Sequence, residues 1–299
     1  MLSSRLSRRV TLKVFFGAVL TLTAVPAGAK TAAVGIEIAS ADTQISTRDG
    51  RTITVRITWP TAGRGRLPLL VFSHGANGTL DGLEPVQRGL THQRIVAAPQ
   101  HPDSEANPDL ARVDRKVLLA QRVADMVAVL DARLTIERVT GRKIDTTRID
   151  AGGHSYGALV AQALGGAMVE GKSWRDARIK RVVAFSPPGP FLPLVGPDGW
   201  KTMAVSQLVT TGTLDVQPMI TPTWEGHMTS FTTSPVHGSA LWVGRGVDHY
   251  WGNHIQRLTR VAPDQTPAFM TAMALAESFL ARKPMDAAPG AVTERFLTK

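Results

Sequence analysis

Residues Gly153-His154-Ser155-Tyr156-Gly157 spell G-x-S-x-G, a pattern able to present a serine hydroxyl to a substrate. A serine hydroxyl is a weak nucleophile at its free pKa. It needs a base to take its proton, and the base needs a group to orient it. The setting gives the pattern its weight. An apolar run ending at Ala151 precedes it and a small-residue helix starts near Ser155, which is the strand–turn–helix setting of a nucleophile elbow. Gly153 and Gly157 keep so sharp a turn clear, and Gly152 and Ala158 leave further room. The hydroxyl then stands at the carboxyl end of a sheet, at the positive end of a helix dipole.

Four histidines follow the serine: His227, His237, His249 and His254. In an elbow of this kind the chain order is serine, acid, histidine. His249, in Gly246-Val247-Asp248-His249-Tyr250-Trp251-Gly252, falls just beyond a strand ending at Val243, within reach of the elbow. His237 precedes that strand, at its opposite end, and His254 reads as a surface residue. His249 and His254 are five apart and out of phase on a helix, so a metal pair is not expected, and no cofactor is. For the acid, Asp215 closes the run Leu208-Val209-Thr210-Thr211-Gly212-Thr213-Leu214. There it can accept the Nδ1–H of the imidazole and stabilise the imidazolium. Asp248 adjoins the histidine and is expected to be solvated or to cap the loop; Asp198 lies in a long insert. Ser73-His74-Gly75-Ala76-Asn77-Gly78 is a glycine-rich turn that can aim backbone N–H groups at an oxyanion. The expected donors are Ala76 and Tyr156, with His74 holding the loop in shape.

The elements that must place these residues alternate. Strands are expected at Ala33–Ala41, Thr52–Trp59, Leu67–Phe72, Ile95–Ala98, Thr147–Ala151, Arg181–Phe185, Gln207–Thr211 and Ala240–Val243. Asp114–Ile136 carries Leu119, Val123, Met126, Val127, Leu130 and Leu134 at three- and four-residue steps, as a helix does. Ser155–Met168 and Thr266–Ala281 are further helices. Such alternation predicts one α/β domain around a doubly wound, mostly parallel sheet. The irregular segment 186–203 reads as an insert near the site, and the tail after Pro284 as loosely held. Loops 76–82, 186–203 and 216–236 should wall the pocket, with Phe191, Trp200, Trp224 and Phe231 as candidate lining.

Composition excludes several chemistries. The 299 residues include no cysteine, so thiol nucleophiles, thiolate metal sites and disulfides are ruled out. Arg5, Arg8, Arg9 and Lys13, the apolar run Val14–Val25 and Ala27-Gly28-Ala29 read as a secretory signal peptide over residues 1–29. The pair Arg8-Arg9 suits twin-arginine export, so a periplasmic or secreted location is expected. Without that segment the formal charge falls from +10 to +6, spread thinly, which gives nucleic-acid binding little support. The apolar run is too short to span a bilayer, so stable membrane insertion is not expected. Nothing in the sequence specifies an oligomer.

The segments VFSHGANG, GHSYG, TTGTLD and GVDHYWG together resemble the α/β-hydrolases. Within them the chain looks most like bacterial serine hydrolases grouped as dienelactone hydrolases. Those are similar to platelet-activating-factor acetylhydrolases and, more distantly, to polyester-cleaving cutinases. The segment Arg122-Val123-Ala124-Asp125-Met126 shares the likeness, which covers roughly residues 50–283. The resemblance implies an α/β-hydrolase fold, Ser155 as nucleophile, Asp215 as acid, His249 as base, and Ala76 and Tyr156 as oxyanion donors. It also implies a small-molecule carboxylic ester as substrate. Dienelactone hydrolases proper use a cysteine that this chain lacks, so the group's name does not carry over the substrate. Cutinases commonly carry a disulfide, which weakens that branch. A phospholipase A2-like deacylase and a non-catalytic ligand-binding relative stand as alternatives. A candidate for every triad member favours an enzyme, and the apolar, proline-stiffened loops favour short acyl groups.

Overall fold

The computed structural model of the protein describes residues 37–256, 260–287 and 290–299. The expected export signal, residues 1–29, lies outside them. Strands β1 (Ile38–Ser46), β2 (Thr52–Pro60) and β3 (Leu67–Ser73) come first, then helix α1 (Glu84–Gly89) and β4 (Ile95–Pro99). Helices α2 (Leu118–Asp131) and α3 (Arg133–Thr140) lead to β5 (Ile144–His154) and α4 (Tyr156–Leu164). A small ribbon of β6 (Met168–Val169) and β7 (Lys172–Ser173) precedes β8 (Ile179–Phe185) and β9 (Ser206–Leu214). Helix α5 (Thr229–Thr233), β10 (Ala240–Asp248), α6 (Thr266–Leu280) and β11 (Thr293–Thr298) complete the order.

Nine strands form one sheet in the order β1-β2-β4-β3-β5-β8-β9-β10-β11. The interior run from β4 to β10 is parallel, while β1, β2 and β11 pair antiparallel at the two edges. Every residue of β3 is buried, because a central parallel strand is covered on both faces. Its alternation splits it between two cores. Leu69 and Val71 join Val123, Met126 and Leu159 on one side; Leu70 and Phe72 join Leu83, Trp251 and Phe279 on the other. Helices α2 and α4 cover the first face, α1 and α6 the second. A fully buried leucine such as Leu159 contributes about 2 kcal/mol by leaving water. The parallel strands β3, β5, β8, β9 and β10 therefore end on one edge, where the expected site residues gather.

Several sequence expectations need correction, among them the strand expected to end at Val243, which runs to Asp248, and the one expected over Thr147–Ala151, which runs over Ile144–His154. The first strand runs to Ser46, not Ala41, because it pairs residue for residue with β2 from Ile38↔Pro60 to Ser46↔Thr52. The single helix expected over Asp114–Ile136 begins at Leu118 and breaks at Ala132, whose ψ of 21° interrupts the turn before α3 continues to Thr140. Apolar spacing survives that break, so the pattern alone reads straight through it. Helix α4 stops at Leu164, where Gly165 and Gly166 end it, rather than at Met168.

The tail is also held. β11 pairs with the edge of β10, Thr293 Oγ1 accepts the indole N–H of Trp242 at 3.0 Å, and the Gly238 N–H donates to the Lys299 carbonyl at 2.6 Å. Most of its side chains are exposed, and Phe296 and the preceding Val292 pack against the second core, so ladder hydrogen bonds and a few apolar contacts hold it. Deleting residues 293–299 is expected to uncover the β10 edge and the Trp242 N–H and to lower Tm by ~5–10 °C. Calorimetry checks this; an unchanged Tm would mean a loose tail.

Candidate active site

Ser155 sits between β5 and α4 with φ 54° and ψ −122°, a left-handed conformation that costs a non-glycine residue about 1–3 kcal/mol. Its N–H donates to Phe185 O at 2.9 Å, tying the turn to β8. Close packing demands the two glycines. A Cβ on Gly157 would lie 2.1 Å from Ser73 O, and one on Gly153 would lie 2.2 Å from Gly157 O. The start of α4 is thus pressed against the end of β3, which brings Ser155 beside the loop after that strand. Ser155 O accepts from the N–H groups of Ala158 and Leu159. The carbonyl and the next N–H of a trans peptide point oppositely, so the Tyr156 N–H points back out of the helix start.

The loop after β3 is fixed from behind. Arg122 of α2 is fully buried and pairs with Asp103 through two bonds of 2.9 Å. Its remaining donors reach His74 O at 2.6 Å and Gly75 O at 2.8 Å. With Gly75 O turned to Arg122, the Ala76 N–H is turned away from it. His74 donates Nδ1–H to Gly75 O at 2.7 Å and accepts the His101 N–H on Nε2 at 3.0 Å, so it shapes the loop as expected. Burial, with Arg122 nearby, pushes its pKa down and keeps it neutral. Gln256 adds a strap: Oε1 accepts from Gly75 N at 2.6 Å and lies 2.7 Å from His154 Nδ1.

A second serine–histidine–aspartate array lies under this loop. Ser73 Oγ is 2.8 Å from His101 Nε2, and His101 Nδ1 is 2.8 Å from Asp125 Oδ2. All three residues are buried, and none of them lines the cavity at Ser155.

Asp215 and His249 meet across the ends of β9 and β10. His249 Nδ1 donates to Asp215 Oδ1 at 2.7 Å, and Thr211 Oγ1 donates to Oδ2 at 2.7 Å. Burial alone would raise the Asp215 pKa; His249 and His227 more than reverse this and hold it well below the carboxylate range. His154, next to the serine, lies 2.8 Å from His249 O through Nε2, and its ring is 4.9 Å from that of His249. Burial and the neighbouring His249 push His154 down to about 4, so it is neutral. Asp248 accepts the N–H groups of Tyr250 and Gly252, the loop cap expected of it. Asp198 pairs with Lys201 on the surface, and His254 stacks on Phe269.

At the level of sequence, no family model matches the chain and no curated protein matches it. Solved structures do. A Klebsiella pneumoniae protein classed as a dienelactone hydrolase superposes with a TM-score of 0.58 at 15% identity, covering 82% of this chain and 99% of that one. An esterase of Pyrobaculum calidifontis gives 0.57 at 16%, covering 82% and 85%. A thermophilic carboxylesterase cloned from a metagenomic library gives 0.57 at 16%, covering 83% and 91%. The chain has the α/β-hydrolase fold.

A cavity of about 160 Å³ opens at Ser155. Ala76, Tyr156, Leu159, Pro188, Phe191, Leu194 and Ile220 line it, so each of the three expected loops contributes a wall. Of the aromatic candidates only Phe191 is there. Trp200 is wholly buried with its N–H on Gln162 Oε1, Phe231 lies in the core, and Trp224 lies under Arg295. No His/Asp cluster is expected from ligand spacing along the sequence. Ligand atoms of Asp215, His227 and His249 lie within 4.8 Å of one another, although their sequence spacing carries no metal pattern. His227, Arg122, Asp103 and Gln256 were not singled out as site residues. Only Arg122 had a signal, as the basic residue within the resemblance carried by α2.

Arg122 and Asp103 form a buried pair, and removing one partner leaves the other charge uncompensated. Arg122→Leu is expected to cost about 3–5 kcal/mol in urea unfolding, and Arg122→Leu/Asp103→Leu less than the sum of the single changes. Burial raises the Asp103 pKa, but Arg122 outweighs this and depresses it. Its contribution is therefore present above the ordinary carboxylate pKa and lost as pH falls through the depressed one. An Arg122 variant should show a weaker loss of stability with acid than the parent.

Proposed function

We propose that this chain is an exported serine hydrolase that cleaves short-acyl carboxylic esters through an acyl-enzyme. The observation that carries the reading is the buried Asp215 carboxylate orienting the His249 imidazole at the sheet edge that also holds the strained Ser155 elbow. In this reading Ser155 Oγ attacks the acyl carbon and its proton passes to His249 Nε2. Asp215 stabilises the imidazolium. The Ala76 and Tyr156 N–H groups, both aimed away from their own loop and helix, receive the oxyanion. Collapse expels the alcohol, which takes the proton from His249. Water, deprotonated by His249, then attacks the acyl-enzyme, releasing the acid and restoring Ser155.

The cavity supports a short acyl group. A dry cavity of about 150 Å³ takes one benzene, so one of about 160 Å³ takes roughly six carbons. Its walls carry no cation to pair with a charged acyl group, and burying a lone carboxylate is costly. A second reading, a deacylase working at lipid surfaces, is favoured by one feature: Leu192 and Met219, 75% and 88% exposed, flank the lining residues Phe191 and Ile220. Among the described residues no helix is long and apolar enough to cross a membrane.

Ser155→Ala is expected to abolish labelling by a fluorophosphonate probe and to lower kcat by on the order of 10⁴–10⁶. His249→Ala should cost about as much and the double change little more; full activity in either single variant sinks the reading. Asp215→Asn should cost up to about 10⁴ through the wrong tautomer. Across p-nitrophenyl esters from acetyl to palmitoyl, kcat/KM should peak between acetyl and hexanoyl. A peak at dodecanoyl or longer would favour the lipid reading. EDTA should leave turnover unchanged, and inhibition would mean that Asp215, His227 and His249 hold a metal. Arg8→Lys/Arg9→Lys should retain the chain in the cytoplasm.

A further inference from the structure

His227 is a buried histidine that the reaction above does not use, and both ends of its ring meet acceptors. Nδ1 lies 2.6 Å from the carbonyl of Pro187, which can only accept, so Nδ1 carries a proton. Nε2 lies 3.0 Å from Asp215 Oδ1, off the line of a straight hydrogen bond, a contact that is an ion pair if Nε2 carries a proton. An unprotonated Nε2 would turn its lone pair onto a carboxylate with no water between them. Asp215 already accepts from His249 and Thr211, so it is placed as an ionised acceptor.

We propose that His227 is a buried imidazolium that bridges Asp215 to the Pro187 carbonyl, a positioning residue that sets how strongly Asp215 supports His249. The inference rests on the serine hydrolase reading. Burial lowers the His227 pKa, but Asp215 outweighs it and raises the value above the ordinary one. The other groups around the array are few. His154 faces His249 from β5 and is neutral; Tyr250 adjoins it on the same loop. Glu225, on the turn of His227 itself, is exposed, and Arg295 of β11 packs on Trp224 and Met228. Asp215 thus carries one negative charge between two histidines.

Two consequences have the same sign. His227 draws off part of the Asp215 charge, and its own positive charge lies 5.9 Å, ring to ring, from His249. Both weaken the support that Asp215 gives to a positive charge on the His249 ring. His227 also ties the wall of the acyl cavity to the triad, because Pro187 precedes the lining residue Pro188.

The test has a readout without turnover. In ¹⁵N-labelled protein at pH 7.5, both ring nitrogens of His227, assigned by loss of their signals in H227Q, should carry protons. A single protonated nitrogen would overturn the proposal. In kinetics, H227Q keeps a donor toward Asp215 but removes the charge. The acid limb of its kcat/KM profile should move up by about 1–2 pH units, with a smaller effect on the plateau. A uniform loss of rate with an unmoved limb would mean a merely structural role and overturn the proposal. Failure of Ser155→Ala to stop turnover would instead sink the serine reading, while the ring protonation of His227 would stand or fall by itself.

Discussion

A carboxylate with no exposure to water has to be surrounded by donors, and Asp215 organises the site around that demand. Its two oxygens draw in the hydroxyl of Thr211 and the rings of His249 and His227, from three separate stretches of chain. The pH range of this arrangement follows from the directions of its shifts. Asp215 is depressed, so its contribution to stability is lost as pH falls through its low native value. His227 is raised, so its contribution is full below the ordinary histidine value and lost as pH rises through its raised one.

The same logic repeats behind the loop after β3 with the signs exchanged. There the buried charge needing partners is the Arg122 guanidinium. Asp103 satisfies it on one side, and two backbone carbonyls satisfy it on the other. Turning those carbonyls inward is what turns the next N–H outward toward the cavity. A buried ion pair is a weak source of stability, but here it also fixes the direction of a peptide. The site thus rests on one buried acid and one buried base, each holding a different wall.

Ser73, His101 and Asp125 show why residue type alone does not make a catalytic group. Their hydrogen bonds are nearly as short as that of Asp215 and His249, yet the array is buried and stands outside the cavity that Ser155 lines. Ser155 differs in its backbone. The left-handed turn, forced by the close approach of Gly157 to Ser73, lifts its side chain to the wall of the cavity.

Much of this was legible in one dimension. Alternating apolar runs determined the parallel sheet, because strands covered on both faces must be apolar and the helices between them must show one apolar stripe. Two glycines around Ser155, and an acid and a histidine each placed just after a strand, determined which residues would reach the same sheet edge, because parallel strands all end there. What the tertiary structure alone decided has a common cause. β11 is held largely by ladder hydrogen bonds to an edge, with Phe296 alone of the strand packed on the core, and neither leaves an apolar period. The break at Ala132 leaves the stripe intact. His227 reaches Asp215 through a short helical turn whose sequence resembles any polar loop. Its role depends on the Pro187 carbonyl opposite, and no spacing along the chain encodes which backbone oxygen a buried ring will face.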